Sequence, residues 1–349
     1  MKIIEFAGRK IGPGHPCFII AEAGVNHNGE LETAIQLIKE AARCGADAIK
    51  FQTFRTDQLV TKEVPKAQYQ IKEADALETQ YDMLLRLELS EQDHRELIAC
   101  CFKHDIIFMS SPFEEQSADL LEKLGVEVFK VPSGEITNTP FLIYLALKGK
   151  PMVVSTGMST LDEVKTAIKA IENAGNSYLS LLHCVSNYPA KYTDANLRAM
   201  KTMEEVFKVP VGFSDHTCGV EIAIAAVALG ACIIEKHFTL DRKLPGPDHQ
   251  ASLIPTEFKD MVTAIRNVES AMGHGQKTPA DSELETALVA RKSLAAARDI
   301  KAETVLTEEM ISIKRPGSGL PPKELHKILG RRVREFIPSG TVLLKEMLQ

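Results

Sequence analysis

The sequence predicts an α/β fold, a (β/α)8 TIM barrel followed by a small β domain. Short apolar runs rich in β-branched residues alternate with segments of helical period over about 270 residues, the usual size of a closed barrel. Such alternation implies parallel strands joined by right-handed crossovers. No Gly-x-Gly-x-x-Gly turn follows the first strand, which disfavours an open doubly wound sheet.

The apolar runs are predicted to be the barrel strands, at residues 18–23, 48–52, 107–110, 128–131, 152–155, 180–183, 211–214 and 233–237. The segments between them have the period of amphipathic helices. In one of them Leu31, Ile35 and Ile38 fall on one helical face. Ser90-x-x-Asp93 has the pattern of a capping box and is predicted to open a later helix.

The last part of the chain differs in pattern from the rest. We expect the barrel domain to span residues 1–272, a linker to span 273–290 and a second domain to span 291–349. Residues 299–311 align with residues 336–348, so that Ile300 corresponds to Ile337 and Leu306 to Leu343. Two copies of a short strand–turn–strand unit predict a small pseudo-symmetric β domain, because a solenoid needs three or more repeats.

Composition excludes several classes of protein. The net charge is -6 with both signs mixed, so the chain lacks the basic field of a nucleic-acid-binding protein. No apolar run reaches membrane-spanning length, and the charged start does not resemble a signal peptide. The 7 cysteines are scattered, which is typical of thiols in a reducing compartment. We therefore expect a cytoplasmic protein with neither nucleic-acid nor membrane partners.

Polar side chains stand at the carboxyl end of every predicted strand. In a closed barrel these ends meet at one rim, which carries the active site. Polar strand ends are also common for structural reasons, since they meet solvent, but convergence of lysines and histidines from many strands favours function. The candidates are Glu22, Lys50, Gln52, Ser110, Ser111, Lys130, Ser133, Glu135, Ser155, Thr156, His183, Ser186, Ser214, Asp215, His216, Glu235, Lys236 and His237.

Two lysines and several hydroxyls of this set predict an anion site. Lys50 and Lys130 lie within apolar runs, where a buried ammonium group needs a partner. Lys50 and Gln52 share one face of their strand, as do Glu235 and His237, because side chains repeat every second residue. Ammonium groups with serine hydroxyls suit a phosphate and a carboxylate. The alternative for each lysine is a side chain that reaches out to solvent.

Two histidines suggest a divalent metal. His216 and His237 end the last two strands, which are neighbours in a closed barrel, so their imidazoles could reach one ion. Hydrogen-bonded core histidines are an equally open interpretation of the spacing. The chain has neither His-Glu-x-x-His nor Cys-x-x-Cys, which disfavours protease-type or structural zinc.

Taken in order, the strand-end motifs resemble the N-acetylneuraminate (sialic acid) synthase family, which includes legionaminic acid synthases. The resemblance covers nearly the whole chain and implies a C-terminal antifreeze-like domain (SAF domain, β-clip fold). It also implies a domain-swapped homodimer in which the small domain of one subunit caps the barrel of the other. The matching stretches are residues 20–29, 50–54, 111–113, 130–135, 155–158, 212–217, 235–239, 246–248 and 314–317.

The resemblance implies a carbon–carbon bond-forming transferase. Phosphoenolpyruvate would condense with open-chain N-acetylmannosamine to give N-acetylneuraminic acid and phosphate. The alternative is a legionaminic acid synthase that uses 2,4-diacetamido-2,4,6-trideoxymannose. In either case Mn²⁺ or Mg²⁺ would be held by His216 and His237 and would act as a Lewis acid on the aldehyde oxygen.

The resemblance also assigns roles to individual residues. Glu22, Glu135 and His237 are the expected catalytic residues, the glutamates as candidates for proton transfer. Arg315 is expected to reach the sugar from the partner subunit, together with Gln52, Tyr188 and Asp248 of the barrel. The residues expected to hold phosphoenolpyruvate are Lys50, Ser111, Lys130, Ser133, Ser155, Ser186 and Ser214. Some family members have Asn at the position of Ser186.

Other functions stay open at this point. A Schiff-base aldolase could use Lys130 or Lys236 to condense with pyruvate. A carbohydrate-binding or assembly role without catalysis is the third hypothesis. The loop at residues 60–80 follows the second strand and is expected to lie over the sugar. Its pattern at residues 66–70 occurs in both branches of the family, so it does not identify the sugar.

Overall fold

The computed structural model describes residues 2–65 and 78–349 and divides into two compact units. The first unit is Met1–Gly273 and the second is His274–Gln349. The loop pattern at residues 66–70 lies outside the described residues. No helix in the described ranges is long and apolar enough to cross a bilayer.

The first unit is a closed barrel of parallel strands, as predicted. A short antiparallel hairpin, β1 (Ile4–Phe6) and β2 (Arg9–Ile11), precedes it. The last barrel strand pairs with the first, with His237 opposite Glu22, which closes the ring. The barrel strands are β3 (Phe18–Gly24), β4 (Ala48–Thr53), β5 (Ile107–Pro112), β6 (Phe129–Val131), β7 (Met152–Ser155), β8 (Leu179–Cys184), β9 (Val211–Asp215) and β10 (Ile233–His237).

Helices follow the strands. Capping boxes begin helices at Ser90, as the sequence predicts, and at Thr160. Short 3-10 helices lie at Ser133–Glu135, Tyr192–Asp194 and His249–Ala251. The helices are α1 (Leu31–Arg43), α2 (Thr56–Leu59), α3 (Gln80–Leu85), α4 (Glu91–Lys103), α5 (Glu115–Lys123), α6 (Thr139–Leu147), α7 (Leu161–Asn173), α8 (Arg198–Phe207), α9 (Glu221–Ala228) and α10 (Pro255–Met272).

The barrel interior is apolar near the amino ends of the strands. Strand residues such as Ile20, Met109 and Val153 pack there against Phe6 and Ile11 of the hairpin. The hairpin therefore fills this end of the barrel. Side chains two residues further along each strand point into the same interior, because the strand period is two. This second layer, nearer the carboxyl ends, is the polar one.

In the second unit the two copies of the internal sequence repeat adopt equivalent structures. Ile300 and Ile337 exchange two backbone hydrogen bonds of 2.9 Å, and Leu306 and Leu343 are both buried in its core. The 3-10 helices Glu308–Met310 and Lys345–Met347 occupy equivalent places in the two copies. The other elements are a 3-10 helix (Asp281–Glu283), α11 (Leu284–Ala290), β11 (Ser293–Ala296), β12 (Ile311–Lys314), a 3-10 helix (Pro322–Glu324) and α12 (Leu325–Ile328).

Candidate active site at the carboxyl ends of the strands

A cavity of about 510 Å³ opens at the carboxyl ends of the strands. Most of the site residues predicted from the sequence line it. They are Glu22, Lys50, Gln52, Ser111, Lys130, Ser133, Ser155, Ser186, Tyr188, Ser214, His216, His237 and Asp248.

Two residues to which the resemblance gave roles, Glu135 and Arg315, are not among the described residues that line the cavity, and neither are the strand-end candidates Ser110, Thr156, His183, Asp215 and Lys236. Glu135 ends the 3-10 helix after β6, is half-buried and accepts a hydrogen bond of 2.7 Å from the Asn138 amide. It is not among the described residues that line the cavity. Arg315 follows β12 in the second unit and is exposed. The roles predicted for both residues stay predictions.

The floor of the cavity is a cluster of buried charges. The Lys50 ammonium lies 2.7 Å from the Glu22 carboxylate and 3.7 Å from the Glu235 carboxylate. Glu235 also lies 3.5 Å from the Lys130 ammonium. Serine hydroxyls complete the cluster, because Lys130 donates to Ser155 at 2.8 Å and Ser214 donates to Glu235 at 3.0 Å.

Glu235 is a strand-end candidate to which the resemblance gave no role, and it lines the cavity. It lies two residues before His237 on β10 and therefore shares its face of the strand. The strand period of two was therefore the feature of the sequence that indicated the inward direction of Glu235. Its partners decide its state: burial opposes its charged form, but the two neighbouring ammonium groups outweigh burial and lower the pKa of Glu235.

The pKa of the other carboxyl group at the floor, that of Glu22, shifts in the opposite direction. Burial raises the pKa of Glu22 to about 7, although Lys50 acts against this shift. The pKa of Lys130 is lowered by burial, against the attraction of Glu235. The floor therefore holds one carboxylate fixed between two ammonium groups and one carboxyl group that can exchange a proton near neutral pH.

The two histidines lie side by side above this floor. Their ring centroids are 5.4 Å apart, and the Tyr188 ring packs against His216 with a centroid distance of 4.2 Å. Burial lowers the pKa of His216 to about 4 and that of His237 well below its usual range. Both imidazoles are therefore neutral, which is the form that ligates metal ions.

The hydrogen bonds of the histidines also suit a metal. His216 Nδ1 lies 2.7 Å from the Val185 carbonyl oxygen, so Nδ1 carries the proton and Nε2 keeps its lone pair. His237 Nδ1 is buried without a hydrogen-bond partner among the described residues. Within residues 2–65 and 78–349, no group of three or more His, Cys, Asp and Glu side chains is placed to hold an ion. The pair could thus supply two ligands, with the remaining positions left to water or substrate.

Lys236, one of the two lysines considered for a Schiff base, does not reach the cavity. It follows Glu235 on β10 and therefore faces outward, where its side chain is fully buried. Its ammonium group lies 2.7 Å from the Asp215 carboxylate and donates to the Thr217 carbonyl at 2.6 Å. Lys236 therefore links β10 to β9 and to the segment that follows it.

The side of the cavity near β3 and β4 gathers Glu22, Gln52 and Asp248. A Cβ atom on Gly24 would lie 3.2 Å, 3.4 Å and 3.7 Å, respectively, from polar atoms of these three side chains. The Ser252 hydroxyl holds the loop of Asp248 by donating to its carbonyl oxygen at 2.7 Å. Burial raises the pKa of Asp248 to about 6. These groups could bind the hydroxyl or amide groups of a polar substrate.

One flank of the cavity is apolar. We call it the apolar wall and define it by Val25, Leu59, Val60, Met83, Leu84, Leu87 and Phe113. These residues belong to a buried cluster that is separate from the barrel core and also includes Phe54. The cavity thus combines a charged floor with an apolar flank.

Comparison with known proteins identifies the chain. The fold and the charged strand-end cavity define a (β/α)8-barrel protein that carries a small C-terminal β domain. The profile of the NeuB family matches residues 37–277, and that of the SAF domain matches residues 291–349. The chain belongs to the NeuB family, and its predicted fold and family resemblance are confirmed.

Relatives resemble the chain over most of its length. An N,N'-diacetyllegionaminic acid synthase of Legionella pneumophila is 48% identical, covering 97% of this chain and 96% of the relative. A synthase of the same name from Campylobacter jejuni is 46% identical, covering 90% of this chain and 94% of the relative. The crystal structure of an N-acetylneuraminic acid (sialic acid) synthetase from Leptospira borgpetersenii is 35% identical, with a TM-score of 0.73, covering 82% of this chain and 95% of that chain.

We expect the buried Lys236–Asp215 pair to stabilise the barrel. Lys236→Met keeps the side-chain volume but leaves the Asp215 carboxylate without its counter-charge, so it should cost about 3–5 kcal/mol of unfolding free energy. Urea denaturation followed by circular dichroism measures this cost. The control is Lys201→Met, which removes an exposed ion pair and should leave the midpoint almost unchanged. Equal midpoints for the two variants would contradict the role given to Lys236.

Proposed function

We propose that this protein is an N,N'-diacetyllegionaminic acid synthase. It would condense phosphoenolpyruvate with 2,4-diacetamido-2,4,6-trideoxymannose and water, giving the nonulosonic acid and phosphate. The observation that carries the proposal is the cavity in which Lys50, Lys130 and two neutral histidines converge. The choice of sugar is supported by 48% and 46% identity to two synthases of that name.

The family resemblance of the sequence implied N-acetylmannosamine as the first choice of acceptor sugar. Similarity to the Leptospira sialic acid synthetase supports this second candidate, but at 35% identity. The similarities therefore support the diacetamido sugar more strongly. A non-catalytic carbohydrate-binding role is disfavoured by the buried charges, since a binding surface needs no such cluster.

The charged floor suits the binding of phosphoenolpyruvate. Lys50 and Lys130 would attract its carboxylate and phosphate, and the hydroxyls of Ser133 and Ser155 would donate to its oxygens. Ser214 would do so by turning its hydroxyl away from Glu235. Because Glu22 and Glu235 already balance the two lysines, a bound anion would favour a protonated Glu22. Glu235, held between both lysines, would keep them in place while the substrate enters.

Glu22 is the residue that would move a proton. It lines the cavity, and its pKa of about 7 allows it to give a proton to the developing sugar hydroxyl and to take one from the attacking water. His216 and His237 would hold Mn²⁺ or Mg²⁺, which when bound supplies Lewis acidity toward the aldehyde oxygen. Gln52, Tyr188 and Asp248 would orient the open-chain sugar above the floor.

Two further expectations belong to this proposal. The protein would act as a domain-swapped homodimer, with Arg315 of the partner subunit directed at the acetamido carbonyl of the sugar. It would work in the cytoplasm, which is supported by its cysteines, all of them free thiols in the structure.

Phosphate release tests the reaction. With phosphoenolpyruvate present, we expect kcat/KM for 2,4-diacetamido-2,4,6-trideoxymannose to exceed that for N-acetylmannosamine at least about tenfold. Glu22→Gln should lower the rate at least about a hundredfold by removing the proton donor. Preference for N-acetylmannosamine would favour the sialic acid synthase instead. Borohydride trapping of pyruvate on Lys130 would support the aldolase, and no phosphate release with any sugar would support a binding role.

Removal of metal tests the histidine pair. Chelation should abolish turnover, and added Mn²⁺ or Mg²⁺ should restore it. His216→Ala should bind Mn²⁺ at least about tenfold more weakly, because one of the two protein ligands is lost. Electron paramagnetic resonance of Mn²⁺ measures binding without turnover, and circular dichroism checks the fold. Full activity of His216→Ala after chelation would contradict the metal assignment.

Mixed dimers test the contribution of Arg315. Arg315→Ala and Glu22→Ala subunits should each be nearly inactive alone, since each site of the homodimer lacks one group. If the dimer is swapped, a mixed dimer has one site with both groups intact. Mixing under conditions of subunit exchange should therefore restore part of the activity. Exchange shown by differently tagged subunits without recovery would rule out this arrangement.

A further inference from the structure

The apolar wall lies on one side of the cavity, above β3 to β5. Val25 comes from the loop after β3, Leu59 and Val60 from the end of α2, and Met83 and Leu84 from α3. Ser133, Ser155, Ser186, Ser214 and His216, on the opposite side, lie at or just after the carboxyl ends of β6 to β9. One side of the cavity is therefore apolar, whereas the opposite side presents hydroxyl and imidazole groups.

Packing holds the wall in shape. Val25, Met83 and Leu84 are 4%, 6% and 8% exposed, so only a small part of each side chain is accessible. Phe113 packs edge-to-face on Phe54 with ring centroids 6.1 Å apart. A tightly packed apolar surface that faces a cavity is preformed and selects ligands by their apolar groups.

The wall offers no charge to a ligand. Among the described residues that line the cavity, the cationic side chains are Lys50 and Lys130, and both are paired with glutamates at the floor. Gln80, at the start of α3, also lines the cavity, but the side chains that define the wall give a hydroxyl no hydrogen-bond partner, and a phosphate that loses water against them would lose far more. A methyl group, in contrast, gains free energy there.

The position of the charged floor determines which end of a bound sugar lies next to the apolar wall. The carbon that reacts must lie near Lys50, Lys130 and the two histidines. Glu22, Gln52 and Asp248 converge beside Gly24, between the floor and the wall, where they can hold the middle of the chain. The far end of an open-chain hexosamine then extends over the wall.

We propose that the apolar wall is a specificity site for the methyl-bearing end of the sugar, which selects a C6 methyl group over a C6 hydroxymethyl or phosphorylated group. This inference rests on the proposed function and deepens it, because it names the group at C6 as the feature of the sugar that the protein recognises. One apolar group in a hydrophobic pocket changes kcat/KM by roughly tenfold to two-hundredfold.

The test uses sugars that differ only at C6. N-acetylmannosamine, its 6-deoxy analogue and its 6-phosphate are compared by phosphate release from phosphoenolpyruvate. Wild-type protein should prefer the 6-deoxy sugar over N-acetylmannosamine at least about tenfold, and should use the 6-phosphate least well. Leu84→Asn keeps the side-chain size but adds an amide to the wall, and it should reduce the 6-deoxy preference to about threefold or less.

Two other variants, a second substitution in the wall and a control outside it, test whether a change in the C6 preference comes from the wall. Val60→Thr is isosteric, and its residue is less buried than Leu84, so it tests the same prediction if Leu84→Asn fails to fold. Leu85→Asn is the matched control, because Leu85 is on the same helix, is 52% exposed and is not among the described residues that line the cavity. It should keep the wild-type preference. The KM for phosphoenolpyruvate should be the same in all of these proteins.

The outcomes separate this inference from the proposed function. Equal kcat/KM for the 6-deoxy sugar and N-acetylmannosamine would overturn the role of the wall, as would an equal loss for both sugars in Leu84→Asn and Val60→Thr. If no sugar releases phosphate, the proposed function fails, and calorimetric binding of the same two sugars decides the role of the wall. Tighter binding of the 6-deoxy sugar would then support it, and equal binding would overturn it.

Discussion

The buried contact of Glu235 with two lysines is the constraint on which the site depends. An isolated charge inside a barrel costs several kcal/mol, so Lys50 and Lys130 could not be buried without a counter-charge. Glu235 lies 3.7 Å from one ammonium and 3.5 Å from the other, and it thereby holds both at the carboxyl ends of their strands. The fold permits this because the strand period of two turns alternate residues of each strand into the barrel interior, where these side chains meet.

The same cluster gives its two carboxyl groups different states. Glu235 lies between two cations and stays ionised, whereas Glu22 is close to one of them and is otherwise desolvated. The pKa of Glu22 therefore rises to about 7, and that of Glu235 falls. Two like groups whose surroundings move their pKa values apart can take separate roles, one electrostatic and one in proton transfer.

The charged floor and the apolar wall of the cavity take their side chains from different parts of the fold. The floor consists of residues on the barrel strands, whose positions are fixed by the sheet hydrogen bonds. The apolar wall comes from α2, α3 and the segments after β3 and β5, which the barrel itself does not constrain. Changes in these segments could alter the preferred sugar without disturbing the charged floor.

Sequence alone determined the barrel, the second domain and most of the residues at the rim, because alternation and strand period are local properties. It also indicated the repeat whose copies meet at Ile300 and Ile337. Only the tertiary structure decided which polar strand residues share an interior. It turned Glu235 inward beside the lysines and Lys236 outward onto Asp215, although the two residues are neighbours in the chain. The apolar wall likewise has no local signature, since its residues are distant in sequence and meet only when the strands close into a ring.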